Sequence, residues 1–369
     1  MRIGILGGGQ LGRMLALAAV PMGHEVVVLA QSPDEPACAV ARPLIGSFDD
    51  DLVIERLRQS VDVVTYEFEN VPRAAVEGLA AHLPVRPGVR SLVVASDRWN
   101  EKTTFHALGI GTAPFAQVDD EDSLRAAVDR IGLPAVLKTR RLGYDGKGQR
   151  VLRTEADVPG AFAAIGGVPA ILEGFVRFTR ELSILGVRGV DGTIVTYPLV
   201  ENTHRSGILF RTDAPAPHVS DALATRAREA ISRLLVELDH VGVLALELFD
   251  REGELLANEI APRVHNTGHF TIEGADTSQF EAHVRAITGE PLPPLTLRGR
   301  SVMINLVGAI PPRELILAIP GAHLHLYGKT ERPGRKVGHI TICAPDDAAL
   351  DDRVARVIAI VDTNRDGPA

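Results

Sequence analysis

A chain of 369 residues, 45% apolar and 23% charged, has an ordinary globular composition and is too long for one hydrophobic core. Its net charge of -8 repels nucleic acid and anionic membrane, and no apolar stretch approaches the ~20 residues of a spanning helix, so neither partner is expected. Cys38 and Cys343 are the only cysteines, which excludes a disulfide framework or a thiolate metal centre and suits a reducing cytoplasm.

The opening MRIGILGGGQLGRMLALAAV has an apolar run like a secretion signal, but glycines and Gln10 interrupt it, and it reads as strand, glycine turn and helix. Apolar strands at 3–6, 25–30 and 61–66 alternate with helical periods at 10–22, 50–58 and 72–81, predicting a Rossmann-like parallel sheet covered on both faces over residues 1–96. Gly7-Gly8-Gly9-Gln10-Leu11-Gly12 has dinucleotide-fingerprint spacing, in which glycine lets backbone N–H groups approach a phosphate. The acidic residue a nicotinamide ribose needs after the second strand is missing, because Ala30 runs into Gln31 and Ser32. A different phosphorylated ligand is therefore expected. Glu67 and Glu69 close the third strand, where parallel sheets hold ligands, and read either as ribose acceptors or as solvated carboxylates.

Residues 97–175 read as a smaller mixed unit, with helices at 97–107 and 121–131 and strands near 115–118, 134–138, 148–152 and 168–173. The acidic run 119–122 suits a helix N-terminus better than a metal. From Lys138 to Gly148 four cations, Lys138, Arg140, Arg141 and Lys147, mix with three glycines, Gly143, Gly146 and Gly148. Such a loop can close over a polyphosphate and exclude water.

Residues 176–290 predict a larger antiparallel unit with one long helix, whose Ala227, Ala230, Ile231, Leu234, Leu235 and Leu238 form a buried stripe. Strands at 241–249 and 254–260 make a hairpin carrying Glu247, Asn258 and Glu259, hard oxygen donors suited to Mg2+ with nucleotide phosphates; a metal-free structural role is the alternative. A three-residue turn at 251–253 would set Ala245 opposite Glu259 and leave the two glutamates diagonal, whereas a bulge would shift that register. Arg263, His265 and Asn266 follow at once, a guanidinium fork and two polar groups able to orient a small anion.

The run 291–294 reads as a linker to a small terminal unit, 291–369, ending in a helix near 347–361. Lys329, Arg332, Arg335 and Lys336, set among glycines and Pro333, suit a monophosphate clamp. Gly328-Lys329-Thr330 is not a Walker site, because His323 stands where its first glycine belongs.

In order, GGGQLGRM at 7–14, EFENV at 67–71, GYDGKG at 143–148, NEIAPRVHNTGH at 258–269 and RPGRKVGH at 332–339 resemble the 5-(carboxyamino)imidazole ribonucleotide synthetases, ATP-grasp enzymes of purine biosynthesis. The resemblance covers nearly the whole chain. It departs at Lys147, where arginine is common, and at Leu142, where a further glycine is frequent. It implies a Rossmann-like domain, a two-lobed ATP-grasp site and a small C-terminal unit. It also implies that Arg98, Lys138, the loop Gly143, Tyr144, Asp145, Gly146, Lys147 and Gly148, then Glu173, Gly174, Phe175, Val176, Glu181, His204, Asn258 and Glu259 hold ATP. Glu247 and Glu259 match carboxylates for two Mg2+ ions. Asp145, Lys147, Arg263, His265 and Asn266 fall where bicarbonate, carboxyphosphate and the amine are handled, with Asp145 orienting or deprotonating that amine. Lys329, Arg335 and Lys336 match the phosphate site of 5-aminoimidazole ribonucleotide, with Gln10, Leu11 and Glu67 nearby. A cytoplasmic homodimer is the implied setting. The rival readings are a formate-dependent glycinamide ribonucleotide transformylase, which should carry other late motifs, a nicotinamide oxidoreductase resting on the glycine turn, and a catalytically dead nucleotide-binding regulator.

Overall fold

The structure is a computed structural model that describes residues 1–143 and 148–365. Its N-terminal part runs β1 (Arg2–Leu6), α1 (Gln10–Ala19), β2 (Glu25–Ala30), β3 (Arg42–Ile45), α2 (Asp51–Ser60), β4 (Val63–Tyr66), α3 (Arg73–Ala80) and α4 (Val89–Ala95). The four strands form a parallel sheet in the order β3-β2-β1-β4. Alternate residues serve opposite faces: Ile3, Ile5, Val26, Val28 and Val63 pack with α1 and the later helix at 279–288, whereas Leu6, Val27, Leu29 and Val64 pack with α2, α3 and α4. The strand β3 escapes sequence reading because Arg42-Pro43-Leu44-Ile45 is a short exposed edge, where Pro43 breaks no central ladder.

Asp97 caps α5 (Arg98–Ala107) by accepting from the Trp99 N–H. The chain continues through β5 (Phe115–Val118), α6 (Glu121–Ile131), β6 (Ala135–Thr139), β7 (Gln149–Leu152), α7 (Ala161–Ala164) and β8 (Ala170–Gly174). These strands form an antiparallel sheet ordered β5-β8-β6-β7. The acidic run does start a helix, with Asp120 and Ser123 bonding each other's backbone in a capping box.

The remainder runs β9 (Arg180–Arg188), β10 (Ile194–Thr196), β11 (Val200–Arg205), β12 (Ile208–Ala214), α8 (Asp221–Glu237), β13 (Gly242–Arg251), β14 (Glu254–Ala261), α9 (Thr271–Gly274), α10 (Gln279–Thr288), β15 (Ser301–Val307), α11 (Arg313–Leu317), β16 (Ala322–Leu326), β17 (Lys336–Cys343) and α12 (Asp347–Arg365). Its strands make one nine-stranded sheet, β14-β13-β9-β11-β12-β15-β17-β16 with β10 beside β9. The stripe Ala227, Ile231, Leu234 and Leu235 of α8 covers Leu182, Ile184, Leu244 and Leu246 on one face. The other face, carrying Glu181, Ser183, Glu247 and Glu259, is left for chemistry. The last strands have their own apolar core with α12, through Val302, Ile340, Ile342, Val354 and Val357, yet β15 pairs with β12, so the sheet crosses the boundary expected near 290. No helix among the described residues is long and apolar enough to cross a membrane.

Candidate active site

The hairpin differs from its expected register in a way that matters. Arg251 pairs with Glu254, so the turn is two residues, Glu252 (φ 53°) and Gly253 (φ 91°), and both take the left-handed conformations that two-residue hairpins favour. After four pairs, counting Arg251–Glu254 as the first, Asn258 is the extra residue of a bulge: Leu248 pairs with Ala257, whereas Glu247 pairs with Glu259. The bulge sets the two carboxylates directly opposite each other instead of diagonal. The Asn258 Oδ1 is buried with no hydrogen-bond partner among the described residues. Two like charges facing each other across a ladder destabilise it. Burial and then Glu259 push the Glu247 carboxyl above its ordinary range. Burial also opposes ionisation of Glu259, but the Arg98 guanidinium outweighs it and holds that carboxyl low.

Cations surround the acidic pair. Helix α5 carries Arg98, Glu101 and Lys102 at a spacing that puts all three on one face toward β14. Arg98 Nη1 donates to Glu259 Oε2 at 2.8 Å, Lys102 Nζ donates to the Asn258 carbonyl at 2.7 Å, and Glu101 Oε1 accepts from the Ile260 N–H at 2.6 Å. Lys138 at the end of β6 and Lys102 each lie 3.1 Å from the same oxygen, Glu173 Oε2. Burial disfavours the Glu173 anion, yet Lys102 and Lys138 together hold its pKa at about 2. Its Oε1 is buried and accepts no hydrogen bond among the described residues. After Glu173, Gly174 and Phe175 are anchored by the Pro114 and Pro134 carbonyls, and Phe178 stacks on Phe249 at 4.6 Å, which steadies the link containing Val176.

On the far side of Glu247, His265 Nδ1 accepts from the Thr267 N–H at 3.4 Å, which leaves the proton on Nε2, 3.3 Å from Glu247 Oε1. Burial, with Arg263 and Lys336 nearby, lowers the His265 pKa to about 3, so the ring is neutral. Burial also opposes protonation of His204, but contact with Glu181 at 3.1 Å raises its pKa on balance. Asn266 exchanges paired amide hydrogen bonds with Asn305 of β15. Arg263 Nε donates to Glu69 Oε2 at 2.6 Å.

The glycine turn is closed by the protein itself. The Gly9 and Gly12 N–H groups donate to Glu67, and the Gly8 N–H donates to Glu35 Oε2. A Cβ at Gly9 would lie 2.5 Å from Glu67 Oε1, so glycine is what lets this carboxylate dock. The N–H groups of the expected anion nest are thus met by side-chain carboxylates of the chain itself. Lys329 crosses from the β16–β17 loop to donate to Gln10 Oε1, whereas the Leu11 side chain is buried in the core and offers a ligand only its backbone. Arg335 is turned to Thr330, 2.8 Å from its hydroxyl. Lys336 lies close enough to influence Glu247, His204 and His265.

Arg98, Lys138, Glu173, Asn258, Glu259, Glu247 and His265 therefore form one connected cluster of contacts, with the His204–Glu181 pair and Arg263 close enough to influence its charges. Tyr144, Asp145, Gly146 and Lys147 lie outside the described residues. Sequence reading missed Glu101 and Lys102, although the i, i+3, i+4 spacing of charges after Asp97 was the available signal.

Three family models match in tandem: the ribonucleotide synthetase preATP-grasp domain over residues 1–96, the ATP-grasp domain over 103–280 and the phosphoribosylaminoimidazole carboxylase C-terminal domain over 301–353. The N5-carboxyaminoimidazole ribonucleotide synthase of Pseudomonas aeruginosa is 51% identical over 98% of this chain and 100% of its own length. The crystal structure of N5-carboxyaminoimidazole ribonucleotide synthetase from Thermus thermophilus superposes with a TM-score of 0.94 at 51% identity, covering 98% of this chain and 99% of that one. The Aspergillus clavatus N5-carboxyaminoimidazole synthase, solved with ADP and 5-aminoimidazole ribonucleotide, gives 0.91 at 33% identity over 98% of both chains.

Proposed function

The chain belongs to the N5-carboxyaminoimidazole ribonucleotide synthase family of ATP-grasp ligases, and from that membership we propose that it uses ATP to join bicarbonate to the amine of 5-aminoimidazole ribonucleotide. The observation that carries the reading onto these residues is the Glu247–Glu259 pair, opposed across a bulged hairpin and ringed by Arg98, Lys102 and Lys138. Opposed carboxylates beside an unsatisfied Asn258 Oδ1 suit a hard divalent cation. Among the described residues no group of three or more His, Cys, Asp or Glu could hold a metal, which fits Mg2+ that takes one or two carboxylates and completes its shell with substrate phosphates. When bound, Mg2+ would neutralise charge on the transferring phosphoryl group.

The protein's own groups do the rest. Lys138 and Arg98 face the polyphosphate, and the free Glu173 Oε1 accepts from the adenine amine. A bicarbonate oxygen attacks the γ-phosphorus in line, the bond to the β-phosphate oxygen breaks, and ADP leaves. The resulting carboxyphosphate gives up CO2 and phosphate, and the exocyclic amine captures the carbon while losing a proton. Arg263 holds the anion through its remaining donors, and neutral His265 orients it without adding charge. Lys329, Arg335 and Lys336 hold the ribonucleotide phosphate, and Asp145, outside the described residues, remains the proposed acceptor of the amine's proton.

The test is ADP formation with ATP, Mg2+ and bicarbonate, with and without 5-aminoimidazole ribonucleotide. Nucleotide-dependent turnover that needs bicarbonate is expected. Turnover with formate and glycinamide ribonucleotide instead would sink the proposal.

A further inference from the structure

We propose that Glu69 is a positioning residue for Arg263, holding its guanidinium in the one orientation that retains the unstable acyl phosphate; this rests on the carboxylation reading above. Glu69 lies just past β4, at the end of the parallel sheet, and Arg263 lies just past β14 of the nine-stranded sheet. They meet 194 positions apart in sequence, with Arg263 Nε 2.6 Å from Glu69 Oε2 and the side chains 16% and 25% exposed. Arg263 Nη1 also donates to the Val264 carbonyl at 3.2 Å. A planar fork gripped at both Nε and Nη1 cannot turn about its stem. Among the described residues Nη2 meets no acceptor, so the gripped side chain offers that nitrogen to a ligand. Burial opposes the Glu69 anion, but the adjacent guanidinium outweighs it and keeps the carboxyl ionised.

An arginine left free would have to be ordered by the anion itself, at the anion's expense in affinity. Glu69 orders it beforehand, and does so from the other sheet, so the grip exists only when the two sheets are properly packed. Misplacing the fork has a specific consequence. Carboxyphosphate that escapes capture adds water and returns bicarbonate and phosphate, so ATP is consumed without carboxylation of the amine.

The experiment measures ADP formed per 5-aminoimidazole ribonucleotide consumed in wild type, Glu69→Gln, Glu69→Asp, Arg263→Lys and the double variant Glu69→Gln/Arg263→Lys. Glu69→Gln should raise that ratio severalfold, lower kcat for nucleotide consumption by about 10- to 100-fold and leave KM for ATP unchanged. Glu69→Asp, which keeps the charge, should recover part of both losses. If Glu69 acts through Arg263, the double variant is no worse than the poorer single. A Glu69→Gln enzyme with wild-type ratio and kcat overturns the proposal, and so do losses that multiply in the double variant. Should Glu69→Gln fail to fold, the same cycle with Glu69→Asp decides by the same criteria. Wild type lacking nucleotide-dependent ADP formation would instead remove the carboxylation reading and leave the grip itself untouched.

Discussion

Glu247 and Glu259 stand directly opposite each other across the β13–β14 hairpin, and Glu259 is paired with the Arg98 guanidinium at 2.8 Å whereas Glu247 meets the neutral ring of His265 at 3.3 Å. The two residues should therefore respond differently to neutralisation. Glu247→Gln relieves repulsion while keeping an acceptor for His265, so the unliganded protein should be as stable as wild type or more so. Glu259→Gln strands a buried guanidinium and should cost about 1–3 kcal/mol. Both should lose the thermal stabilisation that Mg2+ with ATP confers, and activity should fall by about 100-fold or more. Differential scanning fluorimetry with and without Mg2+-ATP separates these effects. A Glu247→Gln protein that keeps the full metal-dependent shift would remove the site from this hairpin.

Glu101 makes a second, pH-dependent prediction. Burial raises its pKa from 4.5 to about 8, with Lys102 only partly opposing it. A carboxyl raised in the folded state holds its proton more tightly there than in the unfolded chain. Its contribution is fully present below pH 4.5 and is lost as pH rises through about 8. Glutamine in its place keeps the bond from the Ile260 N–H but has no proton to lose. Glu101→Gln should therefore gain stability relative to wild type as pH rises across that window, by an amount on the order of a few kcal/mol. Denaturant unfolding at several pH values checks it, and parallel curves would show that Glu101 is not held protonated.

What was legible in the sequence follows its physics. A continuous apolar run located β2 to the residue, because both its faces are buried, and period-two and period-3.6 patterns did the same for β5 and α6, which each pack one face on a core. The stripe in α8 was readable for the same reason. The hairpin turn was misjudged by one residue, since nothing in Asp250-Arg251-Glu252-Gly253 announces that Glu252 takes a positive φ. A bulge in this hairpin was foreseeable, but its place at Asn258 was not, because an extra strand residue is visible only against its partner. Glu67 and Glu69 look alike within EFENV, yet one docks on the glycine turn and the other on Arg263. That distinction depends on packing between two sheets, which no local pattern encodes.

Asp97 anchors the entrance to the cationic glycine loop. It accepts from Arg140 Nε and Nη2 at 2.9 and 2.8 Å, from Arg141 Nε at 3.0 Å and from the Trp99 N–H that starts α5. The Arg140 carbonyl in turn accepts from the Arg98 N–H at 2.9 Å, so one carboxylate ties the loop's stem to the helix presenting Arg98. Asp97→Asn keeps the cap but loses the charge between two guanidinium groups. KM for ATP should rise about tenfold, with stability lower by about 1–3 kcal/mol. Steady-state kinetics with ATP varied will show it; an unchanged KM would mean that the stem does not position Arg98.

Lys329 bridges the two ends of the chain, donating to Gln10 Oε1 at the start of α1. A neutral amide orders the ammonium without neutralising it, so the charge stays available to a phosphate dianion, which is what a ribonucleotide clamp requires. A hydrogen bond to a charged group contributes roughly 1.5–3 kcal/mol, so Lys329→Ala should raise KM for 5-aminoimidazole ribonucleotide by about 10- to 100-fold. KM for ATP should not move, because Lys329 is no part of the Lys138–Glu173 cluster. Gln10→Ala should produce a smaller rise in the same constant, since it removes the orienting contact and keeps the charge. Raising salt should weaken nucleotide binding in wild type and do so less steeply in Lys329→Ala, where Arg335 and Lys336 remain. Equal effects on both KM values would place Lys329 in general packing between the two units instead of in the phosphate site.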